Sequence, residues 1–125
     1  MIDRLRQEWA DGSNRFDSPD EQLFGATVEA LLVGIAGVTR QGPNLGRIRR
    51  VYVHPSHRRR GIGAALMSRV LEVADRHYDE LILRTNDPEA AAFYEGLGFV
   101  HETIEPQENA THRLRFRHEP PLFSA

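Results

Sequence analysis

Residues 51–77, VYVHPSHRRRGIGAALMSRVLEVADRH, decide how the chain folds. Val51 and Val53 end a strand, and Pro55 biases His54 toward an extended conformation that closes it. From about Gly61 the positions Ile62, Leu66, Val70, Val73, Ala74 and His77 recur every three or four residues, one face of a helix of about four turns. Between strand and helix lie Arg58, Arg59 and Arg60, then Gly61 and Gly63. The first amides of such a helix lack intrahelical acceptors and sit at the positive end of its dipole. Glycines there let an anion approach the backbone, and arginines upstream add charge. The turn alone is compatible with a solvated arginine face, a nucleic-acid patch extended by Arg47, Arg49 and Arg50, or a cradle for a pyrophosphate.

Working outward, Arg47–Val53 reads as the strand that enters this turn, and LILRT, Leu81–Thr85, as the strand that follows the helix. Strand, helix and strand in this order require a right-handed parallel crossover. Upstream, LFGATVEALLVGIAGVTR gives two strands, Leu23–Val28 and Leu31–Thr39, with a tight turn at Glu29-Ala30 and a punctuating QGPNLG turn after them. The second is apolar almost throughout, as in a strand buried on both faces. Ile2, Leu5 and Trp9 fall at helical spacing, so residues 2–10 are expected to form a short helix, and Asp11–Asp20 a loop.

Downstream, Asp87-Pro88-Glu89 is a helix start, with a capping carboxylate, proline at the first helical position and an acid in the first turn. That helix is expected to run to about Glu95 with Gly96 as its cap. Phe99–Ile104 and His112–Arg117 are expected to form an antiparallel hairpin around the polar loop EPQENA. In its second strand His112, Leu114 and Phe116 share one face, and Arg113, Arg115 and Arg117 the other. The sum is a mixed sheet in an α/β (α+β) arrangement, one domain over residues 1–125.

Composition narrows the function. The 125 residues carry a formal net charge of -2, which argues against a chain basic all over. Without cysteine there is no disulfide, thiolate–metal site or cysteine nucleophile. The histidines show no ligand spacing, so no metal is expected. All 16 basic residues are arginine, so a charged phosphate contact must be a guanidinium. A charged N-terminus and the lack of a long apolar run point to a cytoplasmic location without membrane association.

Two motifs, in order, carry a resemblance. One is the turn at Arg58, Gly61 and Gly63, preceded by the V-x-V-x-P strand end at Val51, Val53 and Pro55; the other is the block at Ala90, Phe93, Tyr94, Gly98 and Phe99. Over about Arg47–Phe99 the chain resembles the GNAT superfamily of N-acetyltransferases. The resemblance implies a mostly antiparallel, twisted sheet flanked by helices and splayed at an acetyl-CoA slot. It implies acetyl-CoA as co-substrate, with the pyrophosphate on the amides of Arg58, Arg59, Arg60, Gly61, Ile62, Gly63 and Ala64. The backbone of Tyr52 and Val53 would pair with the pantetheine arm. A pantetheine contact is implied at either Asn86 or Asp87.

By the same resemblance Tyr94 is the general acid. A departing thiolate whose acid has a pKa near ~8.5 shares a proton readily with a phenol near ~10. A free alkylamine is neutral in only about 0.04% of molecules at pH 7, so a base is needed as well. Some relatives place a glutamate where this chain has Gly46-Arg47, which leaves His54, His101, Glu102, His112 or a water relay. The family's first strand is expected to be absent or much shortened, since little chain precedes Leu23; a homodimer would cover such a front end. The activity implied is acetylation of a primary amine of a small molecule or peptide. The alternatives are a CoA-binding module with little or no catalysis and a nucleic-acid-binding domain; the partners expected are acetyl-CoA and an amine, with no nucleic acid.

Overall fold

The computed structural model describes residues 4–8, 20–102 and 108–116. Its strands are β1 (Arg4–Glu8), β2 (Gln22–Val28), β3 (Leu31–Gly42), β4 (Leu45–Val53), β5 (Glu80–Leu83), β6 (Val100–His101) and β7 (His112–Arg115). Its helices are α1 (Ile62–His77) and α2 (Pro88–Gly96). The strands form one sheet in the order β1-β2-β3-β4-β5-β7-β6. Every neighbouring pair is antiparallel except β4 with β5, which is parallel. This is the mixed, mostly antiparallel sheet flanked by helices that the sequence led us to expect.

The front end differs from expectation. Residues 4–8 form no helix but a strand, paired with β2 from Arg4↔Thr27 to Glu8↔Leu23. A helix this short is marginal on its own, whereas the open edge of β2 offers partners to the backbone groups that face it. The first strand is therefore present. The loop expected over 11–20 lies outside the described residues apart from Asp20.

The β2–β3 hairpin turns on Glu29 (φ 52°) and Ala30 (φ 68°), the two left-handed positions of a two-residue hairpin loop. Val33, Ala36 and Val38 are buried in β3, while Leu31 and Leu32 at the hairpin tip are exposed. The buried face of α1 is Ile62, Leu66, Met67, Val70 and Ala74. His77 is exposed, and the neighbouring Tyr78 takes the core position expected of it.

Several boundaries move: β3 runs on to Gly42 and β4 begins at Leu45, so the QGPNLG turn shrinks to Pro43-Asn44, and β6 covers only Val100–His101 of the strand expected from Phe99. β5 stops at Leu83, short of Thr85, whose amide donates to the Thr111 Oγ1 at 3.1 Å instead of to a strand. Helix α2 runs through Gly96, and the left-handed residue is Gly98 (φ 111°), not Gly96. The Gly98 amide donates to the Glu95 carbonyl and the Phe99 amide to the Tyr94 carbonyl, a Schellman ending. The β6–β7 pair is antiparallel as expected. Ile104, Arg117 and residues 105–107 of the connecting loop lie outside the described residues.

Alternation along the strands separates two faces. Ile48, Leu81 and Leu83 join the core beneath α1 and α2 with Phe24, Ala26, Ala36 and Val38. Arg47, Arg49, Ile82 and Arg84 alternate with these and belong to the opposite face.

Candidate functional site

The site begins where two strands part. β4 pairs with β5 only from Leu45↔Glu80 to Arg47↔Ile82, although β4 continues to Val53 along β3. At the parting, Arg49 faces Gly37 and Tyr52 faces Ile35, so β4 carries one extra residue there. Arg50 holds a left-handed φ of 56° at this bulge. A bulge bends its strand and sharpens the twist. The gap is a cleft of about 390 Å³ lined by Ile48, Arg49, Arg50, Val51, Leu83, Arg84, Thr85, Asp87, Ala90 and Tyr94.

The arginine–glycine turn stands at the end of β4. A single helical turn, Pro55–His57, is capped by the His54 Nδ1, which accepts from the Ser56 amide at 3.2 Å. Arg59 (φ 64°) and Gly61 (φ 80°) are both left-handed, and α1 starts without a side-chain cap. Its first backbone bond runs from the Ala65 amide to the Gly61 carbonyl. Among the described residues, the amides from Arg59 to Ala64 have no backbone acceptor. That concentration of free donors at a helix N-terminus suits a pyrophosphate.

The residues of this turn have unequal parts. The Arg58 Nε donates to the Val53 carbonyl at 2.9 Å, and its guanidinium lies 5.9 Å from the Tyr52 ring centre. Arg58 thus clasps the strand end and occupies a carbonyl expected to be open to pantetheine. Arg59 makes only a long, exposed contact with Glu89 at 3.5 Å, worth little in water. The Ile62 side chain is core, leaving its amide to the turn. A Cβ on Gly61 would meet nothing within 4 Å, whereas one on Gly63 would face the Phe93 ring and Val53. Gly63 therefore serves close packing of α1 as well as the turn.

Tyr94 is fixed by the end of α2. Its carbonyl accepts the Phe99 amide at 3.1 Å, and its ring packs edge-on against Phe93 and Phe99 at 5.3 and 5.9 Å between centroids. The hydroxyl makes no hydrogen bond among the described residues, and Tyr94 lines the cleft. Burial pushes its pKa above the ordinary phenol value. The phenol stays protonated through the neutral range, the state a proton donor requires.

Asp87 and Asn86 differ in position. The Asp87 Oδ1 accepts from the Glu89 amide at 3.1 Å, capping α2, and the residue lines the cleft. Asn86 is absent from that lining and lines a second hollow of about 290 Å³, which Thr85 and Asp87 share. The four named candidates for a base all lie away from the β4–β5 cleft. His54 caps its turn. The His112 Nε2 meets the Glu95 Oε2 at 2.9 Å and its Nδ1 the Thr111 Oγ1 at 2.8 Å. The His101 ring meets the His112 ring edge-on at 5.2 Å between centroids. Glu102 is held by Arg115 and Arg113, which draw its pKa down. Arg84 and Thr85 at the cleft were not legible as site residues, because only the parting of the strands brings them there. Among the described residues, no group of three or more His, Asp or Glu could hold a metal ion.

Two buried phenols give the fold a pH dependence. The Tyr78 pKa is raised, chiefly by burial and then by Asp20, and its hydroxyl donates to the Asp20 carbonyl. Tyr94 is raised by burial. Both groups hold their protons more tightly folded than unfolded, where a phenol titrates near ~10. Their stabilisation is complete below that pH and is lost as pH climbs toward the folded values. Urea midpoints measured upward from pH 8 should fall above about pH 10, and a Tyr78→Phe variant should fall less steeply.

The sheet thus parts beside a donor-rich helix N-terminus, and Tyr94 lines the gap. The model of the acetyltransferase (GNAT) domain family matches residues 19–101, and the chain belongs to that family. It is similar to the N-alpha-acetyltransferase RimI of Mycobacterium tuberculosis, 34% identical over 85 residues that make up 66% of this chain and 54% of the relative. Among solved structures it is similar to a provisionally named acetyltransferase from Exiguobacterium sp. 255-15, with 34% identity and a TM-score of 0.72 over 80% of this chain and 66% of that one. It is also similar to Rv2747 from Mycobacterium tuberculosis, solved in complex with CoA and NLQ, with 30% identity and a TM-score of 0.59 over 67% of this chain and 51% of that one. The chain spans 17% to 54% of the lengths of the curated relatives it matches.

Proposed function

We propose that the chain is an acetyl-CoA-dependent N-acetyltransferase acting on a primary amine in the cytoplasm. The observation that carries this reading is the parting of β4 from β5, which leaves a cleft lined by Tyr94. Acetyl-CoA, when bound, supplies an acetyl group already activated as a thioester. The amides from Arg59 to Ala64 would hold its pyrophosphate, and the free edge of β4 near Val51 and Tyr52 would hold the pantetheine arm. Transfer forms a C–N bond to the amine and breaks the C–S bond. The amine gives up one proton, and Tyr94 passes its own to the departing sulfur, to be reprotonated from solvent. The CoA-bound relative, Rv2747, supports the cofactor, and RimI supports an amine acceptor.

A binding module with little catalysis is the second reading, favoured by the position of His54, His101, Glu102 and His112 outside the cleft. Release of CoA thiol in the presence of amines separates the two, since only an enzyme gives amine-dependent release. Gly61→Val tests the turn. Its φ of 80° disfavours a branched side chain. Acetyl-CoA affinity measured by calorimetry should fall at least about tenfold, the loss of one or two charge-assisted hydrogen bonds. Unchanged affinity would remove the turn from the site.

A further inference from the structure

The cleft is lined by residues of unlike charge. Tyr94, Ala90 and Asp87 line it from α2, and Arg49 and Arg84 approach it from the opposite face. Arg47 pairs with Ile82 in the last step before the strands part, and Arg49 and Arg84, two positions further along each chain, both line the gap. The Arg49 Nε donates to the Thr39 Oγ1 at 3.1 Å, which orients the guanidinium and leaves its two terminal nitrogens available.

The same sheet face supplies a contrast. On β7, Arg113 contacts Glu80, Glu102 and Glu108, and Arg115 contacts Glu80 and Glu102. Those arginines are neutralised within the fold. Among the described residues, Arg49 and Arg84 have no carboxylate partner. They also sit close enough to Arg47 to depress its pKa, after burial, the larger cause. Among the described residues the only carboxylate lining the cleft is Asp87, and its Oδ1 is engaged by the Glu89 amide. The pyrophosphate turn is at the N-terminus of α1, on the other face, so these two arginines are left over for the second substrate.

We propose that Arg49 and Arg84 bind a carboxylate of the acceptor, which is therefore a carboxylate-bearing primary amine of the amino-acid or short-peptide class and not a polyamine. The proposal rests on the acetyltransferase reading and deepens it. A guanidinium forks onto two carboxylate oxygens, and two of them orient the amine while repelling a polycation.

The test is a CoA-release assay on the full chain with matched acceptors. These are the standard α-amino acids and a set of dipeptides, their C-terminal amides, their decarboxylated amines, and spermidine. Turnover is expected with a carboxylate-bearing member and at least tenfold lower kcat/KM for its amide and its decarboxylated counterpart. Arg49→Gln and Arg84→Gln should each raise the KM for that member roughly ten- to hundredfold, as when a charge-assisted hydrogen bond is lost. Both side chains are exposed, so folding should be untouched, and acetyl-CoA affinity should stay within about twofold. Equal or better use of spermidine or the amides overturns the proposal, as does an unchanged KM in both variants. Binding of acetyl-CoA with no turnover of any carboxylate-bearing member also overturns it, while leaving the cofactor reading intact. Failure to bind acetyl-CoA at all overturns the reading beneath it.

Discussion

Tyr94→Phe is expected to lower kcat by about a hundredfold or more, the usual span of a lost general acid, with acetyl-CoA affinity essentially unchanged. The two effects separate because the hydroxyl is the only atom removed. The ring that packs against Phe93 and Phe99 stays, and so does the Schellman ending that positions it. Since this hydroxyl has no hydrogen-bond partner among the described residues, its loss leaves nothing buried and unpaired, and Tm should hardly move. Steady-state kinetics of the variant beside its melting curve make the measurement. Turnover equal to that of the parent would remove Tyr94 from the chemistry and favour a binding role for the cleft.

Gly46→Val is expected to cost about 3 kcal/mol or more of stability, roughly 10 °C in Tm. A Cβ at this position would come within 2.8 Å of the Leu81 Cδ2 and of the Cδ2 and Cε2 of Tyr78, all three buried in the core. Overpacking against a strand and a ring that have no room to retreat is costly in itself. The consequence reaches the mechanism. Gly46-Arg47 is where a glutamate base stands in some relatives, and here the first of the two positions admits no side chain. The second, Arg47, is held by Gln41 and by the carbonyls of Glu108 and Asn109. On the acetyltransferase reading, the proton of the amine leaves by a route other than a glutamate at this position. A thermal melt of the variant checks the packing claim, and an unchanged Tm would show that Gly46 is loosely surrounded.

Much of this was legible in the residues because it depends on local periodicity. The three-to-four-residue spacing of Ile62, Leu66, Val70 and Ala74 gave α1, and the capping set at Asp87-Pro88-Glu89 gave the start of α2. Glu29-Ala30 marked the hairpin turn. What the sequence hides is what depends on a neighbour. Residues 4–8 pair with β2 as a strand because an edge was waiting there, which no spacing of Ile2, Leu5 and Trp9 records. Gly98, not Gly96, takes the left-handed turn because the Phe99 amide must reach back to the Tyr94 carbonyl. The site divides the same way. Tyr94 and the turn are motif residues, but the bulge at Arg50 and the arrival of Arg84 at the cleft follow from the parting of β4 and β5. That the Arg58 side chain caps the Val53 carbonyl is likewise a property of the folded turn.

The central claim is that the donor-rich turn and the parted strands together bind acetyl-CoA. Calorimetric titration of the chain with acetyl-CoA, with CoA and dephospho-CoA as comparisons, tests it most directly. Saturable binding at one site per chain is the result expected. Heats indistinguishable from dilution up to millimolar cofactor would contradict the account.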